Sequence, residues 1–360
     1  MSDGSRQRSE ILHAALAKVA PGTSLREGLD RIVRAKMGAL LILGDFPTVL
    51  NICSGGFLLD SAFSPQRLSE LAKMDGAIIL GSDATRIARA NVHLVPDPTT
   101  QTSETGTRHR TAERVARSIA VPVVSVSEEM GVIAVYIGEH KHVLQEIGRL
   151  LEQANQALQT LERYKARLDD VSSALSALEV GDVVTLRDVA AVIQRSEMVR
   201  RISDEIDMMI VELGVDARLL RLQLDELYSG TEDDLGLVVR DYAPDTDPAT
   251  LDQIVHELQD LDDNDLLDTR SVAHLLVSLL PDVDLDQPVQ PRGYRLLSRI
   301  PRMSEALAHN VVDRFGSLAK VLRCTTADLT GVPGVDEDRA RVIKDALGRL
   351  AETSILEQYG

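Results

Sequence analysis

The most constraining feature of this chain is a change of apolar pattern near residue 138. Before it, apolar residues come in short runs of four to six: Ala39–Leu43, Val49–Ile52, Ala77–Leu80, Pro122–Val126 and Val132–Ile137. The runs are rich in β-branched residues and bounded by Gly, Asp or Ser, which is the signature of strands. Helical patterns lie between them, at Ser64–Lys73 and Ala112–Ile119. They are preceded by a helical stretch in which Ile11, Leu12, Ala15, Leu16 and Val19 recur three or four apart. Pro21-Gly22 breaks that stretch before a second helix at Leu25–Met37. Beyond 138 the period is helical only. Ile147, Leu151, Ala154, Leu158, Leu161, Leu168, Leu175 and Leu178 keep a 3–4 repeat, interrupted by the polar slots Lys165 and Ser172. The helical pattern continues from 185 to 280 with breaks at Gly230 and Pro244. No single layer architecture accommodates both patterns. The expectation is an α/β domain with a mixed sheet flanked by helices over 1–138. An all-α spine over 139–289 and a small all-α domain over 290–360 should follow.

Charge divides at the same borders. The 360 residues carry a net −17, which taken whole argues against a nucleic-acid partner. Residues 1–138 hold 15 basic and 14 acidic groups, 139–289 hold 13 and 33, and 290–360 hold 11 and 9. The acidity therefore belongs to the middle, which should repel DNA and confine it to an end. Tryptophan is absent and Phe plus Tyr number ten, so base stacking on aromatic platforms is a poor expectation. The two cysteines, Cys53 and Cys324, form no CxxC, which excludes a zinc ribbon or a thioredoxin-type site. No signal segment or apolar run of about 20 residues occurs, so a cytoplasmic location with no membrane partner is expected. Asp260-Leu-Asp262-Asp263-Asn264-Asp265 resembles the start of a calcium loop. It lacks glycine at the sixth position and glutamate at the twelfth, which is Ser271, and it reads as a solvated acidic loop. Asp282, Asp284 and Asp286, before Pro288 and Pro291, read as a linker.

The last segment contains two similar turns, Arg299-Ile300-Pro301-Arg302-Met303 and Gly331-Val332-Pro333-Gly334-Val335. Each precedes a helix with an alanine seven residues after the proline, Ala308 and Ala340. The second resembles the helix-hairpin-helix motif; the first has Arg302 where that motif has its second glycine. Glycines at Gly331 and Gly334 let backbone approach closely, and the following helix directs free N–H groups at an anion. Arg302, Arg339, Arg341 and Lys344 add counter-charge. Such contacts hold the sugar-phosphate backbone without reading bases.

Two clusters in the α/β domain carry the remaining chemistry. Asp75-Gly76-Ala77 places a carboxylate on a turn just before a strand, where it can hold Mg²⁺ or Mn²⁺. Thr102-Ser103-Glu104-Thr105-Gly106-Thr107-Arg108-His109-Arg110-Thr111 joins hydroxyls, a glycine, a basic triplet and a helix start, an arrangement suited to polyphosphate. No Walker, Rossmann, zincin or nucleophile-elbow motif occurs. Ser127, at the end of a strand, is expected as a further phosphate contact, and Glu128 and Glu129 read as a solvated turn.

With Asp75-Gly76-Ala77 and Arg108-His109-Arg110 about thirty residues apart, the chain resembles the diadenylate cyclase family. The order of cyclase, helical linker and helix-hairpin-helix resembles its DNA-integrity scanning branch. The resemblance implies condensation of two ATP into cyclic di-AMP and two pyrophosphates. It implies Asp75 as the metal-linked carboxylate, with Arg108 and His109 beside it as catalytic residues. Gly76, Ala77 and Leu94 would line the nucleoside pocket, and Thr107, Arg108, His109, Arg110 and Thr111 would surround the phosphates. It further implies Mg²⁺ or Mn²⁺ as cofactor, an octamer with paired cyclase heads, branched DNA as a partner, and partial association with the nucleoid. The alternative is a non-catalytic scaffold that senses nucleotide and binds DNA.

Overall fold

The computed structural model describes residues 3–230, 234–277 and 284–359, with side chains at 10–350 within those ranges and at Glu352. It divides into two compact units, Asp3–Gln156 with Ile206–Leu222, and Ala157–Glu205 with Gln223 onward.

The first unit is a mixed sheet of eight strands between helices. The strands are β1 (Ala39–Leu43), β2 (Cys53–Ser54), β3 (Phe57–Ala62), β4 (Ala77–Leu80), β5 (Arg86–Leu94), β6 (Val123–Val126), β7 (Ile133–Ile137) and β8 (His140–Val143). Their order is β2-β5-β4-β1-β6-β7-β8, with β3 also on the outer edge of β5. Only β1 and β4 pair in parallel; every other pair is antiparallel. The central strand Ala-Leu-Leu-Ile-Leu is apolar throughout because both its faces are covered. Leu41 and Leu43 pack under α1 (Asp3–Val19) and α2 (Ser24–Arg34), with Leu16, Leu29 and Ile32. Leu40 and Ile42 join Ala112, Val115 and Ala116 on the opposite face, below the helix Thr107–Ile119.

Two expectations change, and one strand is added to those read from the sequence. Val49–Ile52 is not a strand: Phe46-Pro47 starts a short helix, Pro47–Leu50, with proline in its favoured first position. A stretch as short as Val49-Leu50-Asn51-Ile52 has no period by which strand and helix differ. The long strand Arg86–Leu94 escaped the pattern because Arg86, Arg89, Asn91 and His93 interleave its apolar residues and its pairing shifts register. The polar slots Lys165 and Ser172 interrupt the apolar repeat and not the helix, which runs as Ile147–Gly181, a long helix as the pattern implies. Lastly, the Asp-rich stretch is not a loop. Asp262 caps the helix Asp263–Leu267 through the Asp265 N–H, Asp263 pairs with Arg201 at 3.1 Å, and Asp268 caps the next helix. Asp282 lies outside the described residues. Among the described residues no helix is long and apolar enough to cross a membrane.

The second unit is all helical. Its most unusual feature is a buried ionic cluster. Arg295 and Glu179 are each 1 % exposed in their side chains and pair at 2.5 Å. Glu179 also accepts from the Tyr242 hydroxyl at 2.7 Å. Asp241 accepts the backbone N–H groups of Gly293, Tyr294 and Arg295 at 2.7–2.9 Å, closing the start of the helix Tyr294–Ser298. Burial, with the charge of Glu179 adding to it, pushes the Asp241 carboxyl up to about 6 against those three donors. The Ser172 backbone carbonyl and the Ser176 hydroxyl complete the acceptor set of Arg295.

Removing one partner of a buried pair leaves the other charge uncompensated. Arg295→Ala should therefore lower local stability by about 3–5 kcal/mol. The check is native-state hydrogen exchange at Leu297 and Ile300; unchanged protection would contradict it.

Candidate nucleotide pocket and helix-hairpin-helix region

Register alone gathers a site at one edge of the sheet. Ala39 pairs with Val126, and Ala77 pairs with Val92. Because β1 and β4 are parallel while β5 and β6 run opposite, the starts of β1 and β4 meet the ends of β5 and β6. The N-terminus of Thr107–Ile119 arrives at the same edge. The result is an open cavity of about 770 Å³. Leu40, Ala77, Val92, Leu94 and Val126 form its apolar wall, and Asp75, Thr107, Arg108, His109, Thr111, Ser127, Glu128 and Glu129 its polar one. Volume and mixed lining suit a small molecule such as one nucleotide.

Each polar group has a local cause. Gly76 holds φ +92°, and a Cβ there would lie 2.9 Å from the Asn91 carbonyl carbon and the Val92 oxygen. Only glycine lets this turn lie against β5. The Asn91 side-chain amide donates to the Asp75 carbonyl at 2.7 Å, and the Asp75 carboxylate stands fully exposed at the cavity. Gly106 caps its helix without a side-chain hydrogen bond, so the first N–H groups are available to an anion. Arg108 extends over Gly38, where a Cβ would meet its Nη1 at 2.0 Å. Its guanidinium lies 3.9 Å from Asp75 and 3.6 Å from Glu128. His109 Nδ1 is 2.9 Å from the Tyr136 hydroxyl. Burial holds the imidazole below its ordinary pKa; Lys141 and Arg108 act the same way and Glu104 opposes them.

The structure brings Asp75, Gly76, Ala77, Leu94, Thr107, Arg108, His109, Thr111 and Ser127 into this one cavity. Arg110 is exposed and outside its lining. The hydroxyl loop serves a different purpose from the expected one. Thr102 and Ser103 donate to Glu113, which also accepts the N–H groups of Ser103 and Glu104. Burial opposes the Glu113 charge, but the Thr102 and Ser103 hydrogen bonds and Arg117 hold its carboxyl below the usual range. Glu113 thus ties the loop to the helix and takes those hydroxyls away from any phosphate. Sequence reasoning set Glu128 and Glu129 aside and missed His93; all three line the cavity. Only their position beside Ser127 and Leu94 could have marked them.

Among the described residues no group of three or more His, Cys, Asp or Glu converges as a metal cage. Asp75, with Glu128 and Glu129 on the same cavity, offers hard carboxylate oxygens, a donor set that fits Mg²⁺ or Mn²⁺ completing its shell with phosphate and water.

In the second unit the two expected hairpins are built alike, 32 residues apart. Met303 N–H donates to the Ile300 carbonyl and Val335 N–H to that of Val332, both at 3.1 Å. Arg302 and Gly334 both hold positive φ, +62° and +87°. Ser304 and Asp336 cap the next helices through Leu307 and Arg339 N–H. Ala308 and Ala340 are buried at matching places. Asn310 joins the hairpins by donating to the Pro333 carbonyl at 3.1 Å. Arg302 therefore adopts the glycine conformation that its sequence had obscured. Gly331 ends the helix Thr326–Thr330. The Lys344 ammonium is held in place by donating to the Leu322 carbonyl at 2.6 Å. Arg339 reaches the Gly334 carbonyl at 3.2 Å, and exposed Arg341 lies 3.5 Å from Glu337.

Gly76→Ala should force the turn off β5, costing about 2 kcal/mol or more. Faster amide exchange at Asn91 and Val92 is the expected readout; native protection there would count against the close approach as a constraint.

Comparison with known proteins gives these parts a common origin. Residues 26–141 match the model described as DisA bacterial checkpoint controller nucleotide-binding, and 144–278 match the DisA bacterial checkpoint controller linker region. Residues 294–349 match the SAM-like helix-hairpin-helix tandem. The DNA integrity scanning protein DisA of Acidothermus cellulolyticus is 53% identical, over 98% of this chain and 97% of its own length. Its namesake in Kineococcus radiotolerans is 52% identical, over 98% and 99%. That of Streptomyces coelicolor is 51% identical, over 99% and 96%. With the three family models in chain order and half of all positions shared over nearly full length, the chain belongs to the DisA family of bacterial checkpoint controllers, diadenylate cyclases and hence nucleotidyltransferases.

Proposed function

We propose that this chain condenses two ATP into cyclic di-AMP, releasing two pyrophosphates, and that DNA held by the C-terminal hairpins governs the reaction. The observation that carries the reading is the meeting of Asp75-Gly76-Ala77 with Arg108 and His109 in one cavity, Arg108 lying 3.9 Å from Asp75. The 3′-oxygen of one ATP forms a bond to the α-phosphorus of another, and the bond from that phosphorus to pyrophosphate breaks. Such a reaction needs positioning and charge stabilisation rather than covalent work by protein. Arg108 and the N–H groups at the start of Thr107–Ile119 bind phosphate oxygens. Ser127 adds a hydroxyl donor. Leu40, Val92 and Leu94 enclose the apolar faces of the nucleoside, and Gly76 lets it lie against backbone. Asp75 would hold Mg²⁺ or Mn²⁺, which supplies charge neutralisation at the phosphates.

One cavity offers room for one nucleotide, whereas the product contains two. Two cyclase units must face each other, so the active species is a homo-oligomer, an octamer by family analogy. The hairpins present Arg302, Gly331, Gly334, Arg339 and Arg341 to a sugar-phosphate backbone, and branched DNA is the proposed ligand. The reading places the protein in the cytoplasm, partly on the nucleoid.

Purified protein with ATP and Mg²⁺ or Mn²⁺ should yield cyclic di-AMP, identified by mass spectrometry. Asp75→Asn should lose that product while keeping its amide-exchange pattern. No product with either metal would leave the nucleotide-sensing scaffold, and full activity in Asp75→Asn would remove the carboxylate from its role. A four-way junction should alter the rate; a junction that binds and leaves the rate unchanged refutes the coupling.

At the hairpins, Arg302→Ala should weaken DNA binding and reduce the salt slope of log K by about 0.9, one phosphate contact. Lys344→Ala should change that slope less, because its ammonium is held at the Leu322 carbonyl. Titrations at several salt concentrations that find equal losses for the two variants would contradict this assignment.

A further inference from the structure

Behind His109 lies a chain of polar groups that the cyclase reading does not use. Tyr136 of β7 is 1 % exposed, under the start of Thr107–Ile119. Its hydroxyl donates to Glu104 Oε1 at 3.1 Å and contacts His109 Nδ1 at 2.9 Å. Lys141 of β8 pairs with the same Glu104 oxygen at 2.5 Å, and its ammonium sits 5.8 Å from the Tyr136 ring centre. The direction of every proton follows from the donors. A carboxylate paired with an ammonium only accepts, so the single Tyr136 proton is committed to Glu104. The Tyr136 oxygen can then only accept from the imidazole, and Nδ1 must carry a hydrogen. In neutral His109 the lone pair is thus on Nε2, the nitrogen left to a ring that lines the cavity.

We infer that Tyr136, held by Glu104 and Lys141, is a positioning residue that fixes His109 as the Nδ1–H tautomer and makes Nε2 a proton acceptor towards bound nucleotide. The inference rests on the cyclase reading for its substrate. A neutral ring so held cannot donate from Nε2 to a phosphate; it accepts from a hydroxyl. In the proposed reaction that hydroxyl is the attacking 3′-OH. As O3′ bonds to the α-phosphorus, its proton passes to Nε2 and the electron pair of the broken P–O bond leaves on pyrophosphate. The imidazolium then returns the proton to water. The charged groups around the ring favour this cycle. Burial, aided by Lys141 and Arg108, favours the neutral ring that accepts, and the nearby Glu104 charge offsets part of that cost when the ring takes up the proton.

The tautomer is measurable without nucleotide. In full-length protein carrying ¹⁵N-histidine, the His109 signals are those lost in His109→Gln. At a pH where the ring is neutral, Nδ1 should be protonated and Nε2 bare. Tyr136→Phe keeps the ring and removes the relay, and should give a mixture of tautomers. Glu104→Gln should do the same with Tyr136 intact, because an amide can donate as well as accept. In steady-state assays Tyr136→Phe should lower kcat at least tenfold with KM for ATP within about twofold. A wild-type Nε2–H tautomer, or unchanged kcat in Tyr136→Phe, would overturn the inference. So would a KM rise that accounts for the whole loss of kcat/KM. Absence of cyclic di-AMP from the wild-type protein would strike the cyclase reading and the acceptor role with it; the tautomer, read without ATP, separates the two failures.

Discussion

The contact on which the cavity depends is between backbone and backbone: the Asp75-Gly76 turn lies against Asn91 and Val92 of β5. A Cβ at Gly76 would sit 2.9 Å from two of those atoms, so the approach exists only because residue 76 has no side chain. The close approach lowers one wall of the pocket to bare main chain, and the Asn91 amide then holds the Asp75 carbonyl. The carboxylate stands exposed at the cavity, with the Arg108 guanidinium 3.9 Å away. Arg108 answers it from the opposite wall across a second missing Cβ, at Gly38. Arg108 stands on the start of a helix, and Asp75 on a turn that the close approach to β5 holds in place. The neighbouring loop is itself fastened to the helix by Glu113, Arg114 and Arg117.

The second unit solves a different problem. Short helices such as Tyr294–Ser298 leave many N–H groups without helical partners, and these groups are buried here. Asp241 satisfies three of them, and Arg292 donates to four carbonyls around the end of the helix Asp234–Tyr242. Glu179 and Arg295 follow from that choice: once one carboxylate is buried, a cation must be near. The cluster is satisfied donor by donor, the condition under which buried charge gives a defined geometry.

What could be read from sequence was what periodicity and rare residue types encode. Ala39–Leu43 and Ala77–Leu80 are apolar enough to announce strands, and Asp75-Gly76-Ala77 with Arg108-His109-Arg110 is rare enough to announce a site. The rest depends on contacts distant in the chain. Arg86–Leu94 alternates imperfectly because one edge of it accepts both β2 and β3 and its register shifts against β4. Thr102 and Ser103 have the right chemistry for phosphate, and only the fold shows Glu113 claiming them. Arg302 breaks a glycine pattern in sequence but keeps its backbone conformation, because the hydrogen bonds of the turn outweigh a cost of about 1–2 kcal/mol for a left-handed residue. Tyr136 reads as one more core aromatic on a strand; its hydroxyl acquires meaning only beside His109 and Glu104.

The acidic middle segment also takes a more specific meaning. Read as a solvated loop, Asp262, Asp263 and Asp265 would serve only to repel DNA from the spine. In the folded unit Asp262 and Asp268 cap helices and Asp263 holds Arg201, so part of that charge is structural. Changing all three to test repulsion would mix a lost cap with a changed field. Asp265 accepts no cap of its own and its N–H is the group that Asp262 receives. Its carboxylate is therefore the one of the three whose removal changes charge with least change in structure, and the long-range effect of the spine on DNA is best isolated there.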